Sequence, residues 1–221
     1  MINLKIYNSA AYKAFNFFDD YKALCTAVFS RVQGIFVEDN YFIATRDYQK
    51  LEKFAVIFNN RLYLLQQDEY AKTENTILLE HDLFIGKILS LNETVDNVKI
   101  AEDVTIKFKI NLLNSEIQWV KQFLYCIHEH LAGRESENKT LINHDTIKSL
   151  IADVIAHIHT ADALIEDSNT GSDYLIAISQ EVIKAVQILA KLGGGRAFLR
   201  GNVISMLCLF TAFSTVYFKQ D

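Results

Sequence analysis

The segment that most constrains the fold lies near the end of the sequence, where a run of glycines precedes a long stretch without charge. Val186 and Ala190 follow the spacing of one helix face, and residues 193–195 are all glycine and lack the side chains that would hold that helix together. Residues 203–218 then include no charged side chain. Such a segment is stable in water only when other helices cover most of its surface, so the sequence predicts a helical bundle.

Composition argues against two classes of partner. At 221 residues and 50% hydrophobic content, the chain is long enough to bury a substantial core. The net charge of -5 and the lack of a basic stripe interleaved with aromatic residues argue against nucleic acid. The uncharged stretch at 203–218 is shorter than the roughly 20 residues of a membrane span, so no membrane association is predicted.

The cysteines indicate a reducing compartment. The chain has an odd number of cysteines, and they lie far apart in apolar surroundings, at Cys25, Cys126 and Cys208. This pattern fits reduced core thiols better than a disulfide framework or a metal site. No continuous apolar region precedes Asn8, so no secretory signal is evident. We therefore expect a cytoplasmic protein.

The first half of the chain carries helical and then strand patterns. Residues 10–31 have apolar side chains at helical spacing, which predicts one or two amphipathic helices. Residues 34–45 and 54–65 each comprise two apolar runs around polar turn residues, at 38–40 and at 59–60, and each predicts a hairpin. Further strands are predicted at 76–79, 87–91 and 97–100, so an antiparallel β unit spans roughly 34–103.

Helical periodicity returns after Asn111 and predicts four helices, at about 115–131, 145–166, 173–192 and 202–218. Asp145, Asp173 and Asn202 are predicted N-caps. Four helices joined by short loops make an antiparallel bundle. The predicted fold class is therefore α+β: a short helical segment at 1–33, a small antiparallel β domain at 34–105, and an antiparallel four-helix bundle domain at 106–221.

Several segments resemble the acyl-CoA dehydrogenase family. In that family the first helix of the C-terminal domain ends in an Arg, and the next helix carries Leu-Ala-Glu or Leu-Ala-Asp. Here Arg134 is in place, and residues 150–153 read Leu-Ile-Ala-Asp at the expected distance. The family's Val-Gln-x-x-Gly-Gly motif resembles Leu-Ala-Lys-Leu-Gly-Gly-Gly at 189–195, and Tyr-Phe-Ile-Ala-Thr at 41–45 resembles the strand whose Thr or Ser faces the flavin.

The resemblance implies a shortened and divergent member that has the β domain and the C-terminal helical domain and largely lacks the N-terminal helical domain. It implies FAD as the cofactor, with much of the flavin site lying across a subunit boundary. It also implies acyl-CoA or an acyl-carrier thioester as the ligand. The positions of this sequence that match flavin-contacting positions are Thr45, Arg134, Gly194, Gly195 and Arg196.

Other positions that hold the flavin in the family carry different residues here. Glu137 and Asn138 stand where the family has Phe-Gly. Asp145 and Lys191 each replace a glutamine of the family. Leu209 and Phe210 replace an Arg-Asp pair.

The catalytic base is also missing from its expected positions. The family places this Glu at one of two sites, which correspond here to Phe218 and Lys219 or to Phe108, with Glu116 nearby on the helix itself. A dehydrogenase needs a carboxylate within hydrogen-bond reach of the proton that it removes. We therefore assign no catalytic residue.

Two further patterns were weighed as sites. His128 and His130, like His157 and His159, are two residues apart, which turns the side chains about 200° from each other on a helix, so neither pair chelates one metal ion. The glycines at 193–195 followed by Arg196 could cradle a phosphate, with Arg200 as a second contact, or could simply end a helix.

Three functions follow from these observations. The first is an acyl-CoA dehydrogenase-like protein without catalytic activity of its own, acting as a binding or structural subunit. The second is one half of a heteromeric FAD-dependent dehydrogenase, completed by a full-length relative. The third is a helical interaction scaffold with no small-molecule site. In each case we expect a homo- or hetero-oligomer formed through the bundle, because four helices alone cover an uncharged helix with difficulty.

Overall fold

A computed structural model describes residues 34–73, 78–79, 82–99, 102–167, 171–194 and 203–219. The helices predicted within 10–31, Cys25 and the predicted N-cap Asn202 lie outside these ranges, as do Gly195, Arg196 and Arg200.

The first part of the described chain is a β unit of two small sheets. Its strands are β1 (Gly34–Phe36), β2 (Tyr41–Thr45), β3 (Lys53–Phe58), β4 (Arg61–Gln66), β5 (Tyr70–Thr73), β6 (Leu83–Ile88) and β7 (Glu93–Lys99). One sheet has the order β1-β3-β4-β7 and the other β2-β6-β5. Neighbouring strands are antiparallel except for β1 and β3, which pair in parallel.

One predicted hairpin is confirmed and the other is wrong. β3 and β4 pair across Asn59 and Asn60, whose φ angles of 48° and 58° make the tight turn that matches strand twist. Asp39 and Asn40 form a similar turn, but β1 and β2 share one isolated bridge and then enter different sheets. Apolar alternation identifies a strand without identifying its partner, which explains the error.

The remaining strand predictions were displaced. β6 begins and ends a few residues before the predicted 87–91, and β7 begins before the predicted 97–100. The strand predicted at 76–79 is wrong for Leu78 and Leu79, which form a helical turn. Leu78 is buried in the core of the helices, and a short apolar run cannot be told from a buried helical turn by its periodicity.

The second part is an antiparallel four-helix bundle, α+β in combination with the β unit. Its helices are α1 (Glu102–Ala132), α2 (Asp145–Glu166), α3 (Ser172–Gly193) and α4 (Val203–Tyr217). Trp119 stacks on Phe210 and Phe108 contacts Tyr217, so α1 and α4 run in opposite directions.

The helix starts differ from the predictions. α1 begins at Glu102 rather than near 115, because polar residues such as Lys107 and Lys109 interrupt the apolar pattern of its first turns. His144 and Gly171 occupy the N-cap positions of α2 and α3, and neither makes a side-chain cap hydrogen bond. The predicted caps Asp145 and Asp173 lie inside the first turns, where a negative charge still favours the helix dipole.

A small hairpin follows α1. Strands β8 (Glu135–Ser136) and β9 (Lys139–Thr140) pair across Glu137 and Asn138, whose φ angles are 53° and 61°. These residues are exposed, and no local apolar alternation indicates their pairing. Glu137 and Asn138, at the positions where the resemblance implies Phe-Gly, form the turn of this hairpin.

Two apolar cores meet along β2. Phe42 and Ala44 belong to the core between the sheets, whereas Ile43 belongs to the core of the helices. Gly86 lies opposite Phe42 in β6, and a Cβ atom there would overlap the Phe42 ring.

The uncharged helix α4 is covered mainly by its own chain. From Met206 onwards its buried side chains alternate with exposed Thr211 and Thr215, whose hydroxyls donate to backbone carbonyls one turn earlier. None of the helices in the described ranges is both long and apolar enough to cross a membrane.

Candidate functional site

The predicted flavin-facing strand lies where the β unit meets the bundle. Along β2, Tyr41, Ile43 and Thr45 point to the helical side, because alternate residues of a strand share a face. Thr45 is 2% exposed, and its Oγ1 has no hydrogen-bond partner among the described residues. A buried hydroxyl without a partner is uncommon, so Thr45 marks a position where a ligand atom could complete the hydrogen bonding.

The end of α4 holds this strand in place. The Tyr217 hydroxyl donates to the Phe36 carbonyl oxygen at 3.3 Å and accepts from the Ile43 backbone N–H at 3.2 Å. It therefore joins β1 and β2, which belong to different sheets, to the last helix. It also satisfies an N–H on the edge of the β2 sheet, which would otherwise be open to pairing.

One position expected for the family's catalytic Glu contacts the residue that precedes the other. Phe108 on α1 contacts the Tyr217 ring at 5.3 Å, and Phe218 follows directly as another buried residue. Phe36 stacks on Phe108 at 4.1 Å, and Phe213 stacks on Tyr217 at 6.2 Å. We call Phe36, Phe108, Phe213 and Tyr217 the aromatic cluster; each is at most 2% exposed.

Lys219, the other residue near the expected base position, contacts Tyr41. Its Nζ lies 5.6 Å from the Tyr41 ring centre, and Lys87 Nζ lies 5.5 Å from the same centre. These are cation–π distances, so Lys219 presents a positive charge where the family would have a carboxylate.

Glu116 is a buried acid that the sequence pattern treated only as a neighbour of Phe108. It lies two turns further along α1 and is 1% exposed, and within the described part of the chain its Oε1 has no hydrogen-bond partner. At 100° per residue it occupies the middle of the buried arc of α1, between Trp119 and Val120. Burial raises the pKa of the Glu116 carboxyl well above its ordinary value, which favours the protonated form.

Arg134 and Gly194 lie at the other end of the bundle. Arg134 follows the end of α1, is exposed, and lies 3.5 Å from His130 through its side chain. Gly194 follows the end of α3 with a φ of 56°, and no described residue lies within 4 Å of the position that a Cβ would take. Arg134 and Gly194 are both exposed.

The described site residues are therefore not brought together within one chain. Ile43, two residues before Thr45 in β2, bonds to Tyr217, which contacts Phe108 of α1. Arg134 lies beyond the last turn of α1, whose end at Ala132 is roughly 36 Å from Phe108 along the helix at 1.5 Å per residue. The connection that contains Gly195 and Arg196 joins α3 to α4 and lies outside the described residues. FAD fits these residues only if two chains share it, with Thr45 from one and Arg134 and Gly194 from the other.

The histidine pairs occupy helix surfaces and one inter-helix contact. His157 Nδ1 lies 2.6 Å from Glu181 Oε2, which connects α2 to α3, and Lys184 Nζ lies 2.6 Å from Glu181 Oε1. Burial alone would raise the pKa of Glu181, but hydrogen bonds and charge from Lys184 and His157 outweigh it and lower the pKa. Within the described ranges, no three His, Cys, Asp or Glu side chains are grouped as metal ligands.

Comparison with known proteins gives the fold. No family model and no curated protein sequence matches the chain. Butyryl-CoA dehydrogenase from Megasphaera elsdenii superposes with a TM-score of 0.56 at 13% identity, over 82% of this chain and 58% of that protein. The chain has an acyl-CoA dehydrogenase-like fold. A glutaryl-CoA dehydrogenase from Mycobacterium smegmatis, solved in complex with FADH2, gives a TM-score of 0.56 at 12% identity, over 84% of this chain and 56% of that one.

A third acyl-CoA dehydrogenase-like structure covers more of the chain. A protein described as a putative acyl-CoA dehydrogenase from Mycobacterium smegmatis gives a TM-score of 0.60 at 9% identity, over 91% of this chain and 70% of that one. The chain thus spans less than three fifths of the length of the two dehydrogenases above.

Proposed function

We propose that this chain is an acyl-CoA dehydrogenase-like subunit that binds or organises a partner and does not itself catalyse dehydrogenation. The observation that carries the proposal is the aromatic cluster. One position at which the family places its base, Phe108, belongs to this cluster, and the other, Phe218 and Lys219, directly follows its member Tyr217; neither position carries a carboxylate.

The described residues near the cluster are poorly suited to replace the missing base. Removal of the α-proton of an acyl thioester needs a carboxylate in hydrogen-bond contact with that proton. Glu38 is held in an ion pair with Lys109 at 2.9 Å. Glu116 points into the middle of the bundle, and its raised pKa favours a form that cannot accept a proton. Lys219 contacts the Tyr41 ring through its amino group and does not supply a carboxylate.

The proposal is tested by assaying the purified chain with FAD, butyryl-CoA and an artificial electron acceptor, and by recording its visible spectrum after removal of excess FAD. We expect no turnover by the chain alone. Turnover that depends on the added thioester would refute the non-catalytic role. A colourless chain without turnover would favour the helical interaction scaffold with no small-molecule site.

A second candidate is one half of a heteromeric FAD-dependent dehydrogenase. The separation of Thr45 from Arg134 and Gly194 favours it, because each end of the chain then supplies half of a flavin site to a neighbouring subunit. FAD, when bound, would accept the hydride in the α,β-dehydrogenation of an acyl-CoA or acyl-carrier thioester. In this arrangement a full-length relative supplies the base, Thr45 contacts the flavin, and Arg134 contacts its phosphates.

Replacing Arg134 by Ala tests the second candidate. If Arg134 holds a shared flavin, R134A should weaken flavin retention by the complex about tenfold, because a charge-assisted hydrogen bond to phosphate is lost. Lys139→Ala, which removes another exposed cation from the adjoining hairpin, is the matched control. Equal retention by R134A and the control would exclude this role.

We also propose that assembly uses the bundle and that the protein works in the cytoplasm. The divided flavin site supports assembly more strongly than the coverage of α4, which the chain largely supplies itself. The cytoplasmic location rests on the unpaired thiols Cys126 and Cys208. A monomer by light scattering at micromolar concentration, with and without candidate partners, would argue against assembly.

A further inference from the structure

A depression lined by charged residues lies on the β unit at the point where β2 ends. It encloses about 540 Å³, opens to solvent, and is lined by Arg46, Asp47, Gln49, Lys50, Lys72 and Asp82. Four of these residues lie in the short 3-10 helix Arg46–Lys50. Lys72 comes from β5 and Asp82 directly precedes β6. Because β6 lies between β2 and β5, one end of this sheet brings all three segments together.

The positive charges of this charged depression are only partly neutralised. Lys50 Nζ pairs with Asp47 Oδ1 at 3.1 Å, but Arg46 Nη1 is 3.9 Å from Asp82 Oδ1, a long and solvent-exposed contact worth little energy. Lys72 has no ion pair with any residue in the described part of the chain. Three cations thus face two carboxylates in a chain whose net charge is -5.

The lining selects a ligand with two kinds of polar group. Guanidinium and ammonium groups donate charge-assisted hydrogen bonds to phosphate oxygens. The two carboxylates would repel an anion but accept hydrogen bonds from hydroxyl groups. The volume falls within the roughly 300–1,000 Å³ of small-molecule sites. A ligand that carries both a phosphate and free hydroxyls therefore complements the lining better than a bare anion does.

We propose that the charged depression binds a phosphate ester that also carries free hydroxyl groups, as a ribonucleotide does. Arg46 and Lys72 bind its phosphate, and Asp82 accepts a hydrogen bond from a hydroxyl. The site is separate from the flavin residues, since the Thr45 side chain is buried and does not line the depression. It therefore does not depend on whether the chain holds FAD or takes part in dehydrogenation.

Calorimetric titration of the full chain at low salt tests the proposal, with adenosine 5′-monophosphate, inorganic phosphate and adenosine as probes. We expect saturable binding of the monophosphate, weaker binding of phosphate and none of adenosine. Arg46→Gln and Lys72→Gln should each weaken binding of the monophosphate roughly tenfold, because each removes a charge-assisted hydrogen bond. Lys148→Gln, an exposed cation on α2, should bind as the parent chain does.

Asp82→Ala separates the two parts of the proposed recognition. Inorganic phosphate should bind more tightly to D82A because a repelling charge is gone, whereas the monophosphate should lose part of its preference over phosphate because a hydroxyl acceptor is gone. Arg46 and Asp82 have side chains that are 53% and 66% exposed, so an unchanged melting temperature is expected for these variants.

Three results would overturn the proposal: no saturable binding of the monophosphate, equal binding by K72Q and the parent chain, or binding of adenosine as tight as that of its monophosphate. Titrations with FAD and with coenzyme A then distinguish a free nucleotide from the nucleotide half of a larger cofactor. The compound that uses this site is the one whose binding is weakened by K72Q.

Discussion

At the residue scale, the buried side chain of Glu116 makes the stability of the protein depend on pH. Its carboxyl lies at the centre of the bundle with an unpartnered oxygen and a raised pKa. A carboxyl whose pKa is raised on folding binds its proton more tightly in the folded state. The contribution of Glu116 to stability is therefore fully present below its pKa in the unfolded chain, about 4.3. This contribution is lost as the pH rises through the pKa of Glu116 in the folded chain.

Replacing Glu116 by Leu should stabilise the protein at pH 7 by about 1–2 kcal/mol, because an unsatisfied buried polar group is exchanged for an apolar side chain of similar size. Glu116→Gln should flatten the loss of stability between pH 5 and 8. Urea unfolding across that range measures both effects. The control is Glu129→Gln, an exposed acid on the same helix; a pH dependence in E116Q equal to that of the parent chain would contradict this prediction.

The effect of Glu181 on the pH dependence of stability has the opposite sign to that of Glu116. Its pKa is lowered by Lys184 and His157, so its contribution is present above the unfolded pKa and is lost as the pH falls through the folded pKa. Glu181→Gln should cost about 1 kcal/mol at pH 7, as a partly exposed ion pair does, and nothing measurable at pH 3. Thermal unfolding at the two pH values tests this, with Glu166→Gln as the exposed control. A loss of equal size at both values would show that packing, not charge, is responsible.

At the scale of the element, β6 depends on one glycine. Gly86 faces the Phe42 ring across the β2–β6 pair, and a methyl group there would force the ring out of the core between the sheets. Gly86→Ala should therefore destabilise the protein by about 1–3 kcal/mol.

Gly133→Ala is the matched control, because a Cβ at Gly133 would meet only backbone oxygens at 3.7 and 3.9 Å. Chemical unfolding of both variants gives the comparison. If G86A were as stable as G133A, the close packing of Gly86 against Phe42 would be disproved.

The elements also show which parts of the fold a sequence can predict. The bounds of α2 follow from its pattern because its apolar face starts at its first turn, between an acidic start and an acidic end. The start of α1 does not, since its first turns pack against the β unit through partly polar side chains such as Lys109, which pairs with Glu38 at 2.9 Å. Such contacts depend on a distant segment and leave no local periodicity.

The features of the candidate site also divide into those that local sequence can predict and those that depend on contacts between distant segments. The resemblance of local segments was enough to single out Phe108, Phe218 and Lys219 as non-acidic at the expected positions of the base, and Thr45 as a predicted flavin contact. That Phe108 and Tyr217 touch, and that the Thr45 hydroxyl has no partner among the described residues, depends on how distant elements meet. Burial of Glu116 depends on the elements that pack against α1 and is likewise not predictable from any short window of sequence.

At the scale of the whole molecule, the residues proposed to contact a flavin, Thr45 on one side and Arg134 and Gly194 on the other, lie far apart within one chain. A shared site predicts complementation between Thr45→Val and Arg134→Ala, since a mixed dimer contains one site with both defects and one with neither. Each variant alone should lose flavin, and a renatured equimolar mixture should recover about a quarter of the parent sites for random pairing. The visible flavin band after gel filtration gives the measurement.

Full flavin retention by either single variant, or no recovery in the mixture, would contradict a site shared between two copies. Recovery only after a full-length relative is added would instead support the heteromeric arrangement. Lys139→Ala mixed with the parent chain controls for losses during renaturation.

The bond between Tyr217 and Ile43 also bears on how the chain is made. The hydroxyl group that binds the edge of β2 belongs to a residue that is synthesised 174 positions after Ile43. Until α4 emerges from the ribosome, the hydrogen bonds of Tyr217 with Ile43 and Phe36 cannot form, and the two sheets lack the side chain that joins them. Contacts of such long range slow folding and leave the nascent chain dependent on protection from aggregation.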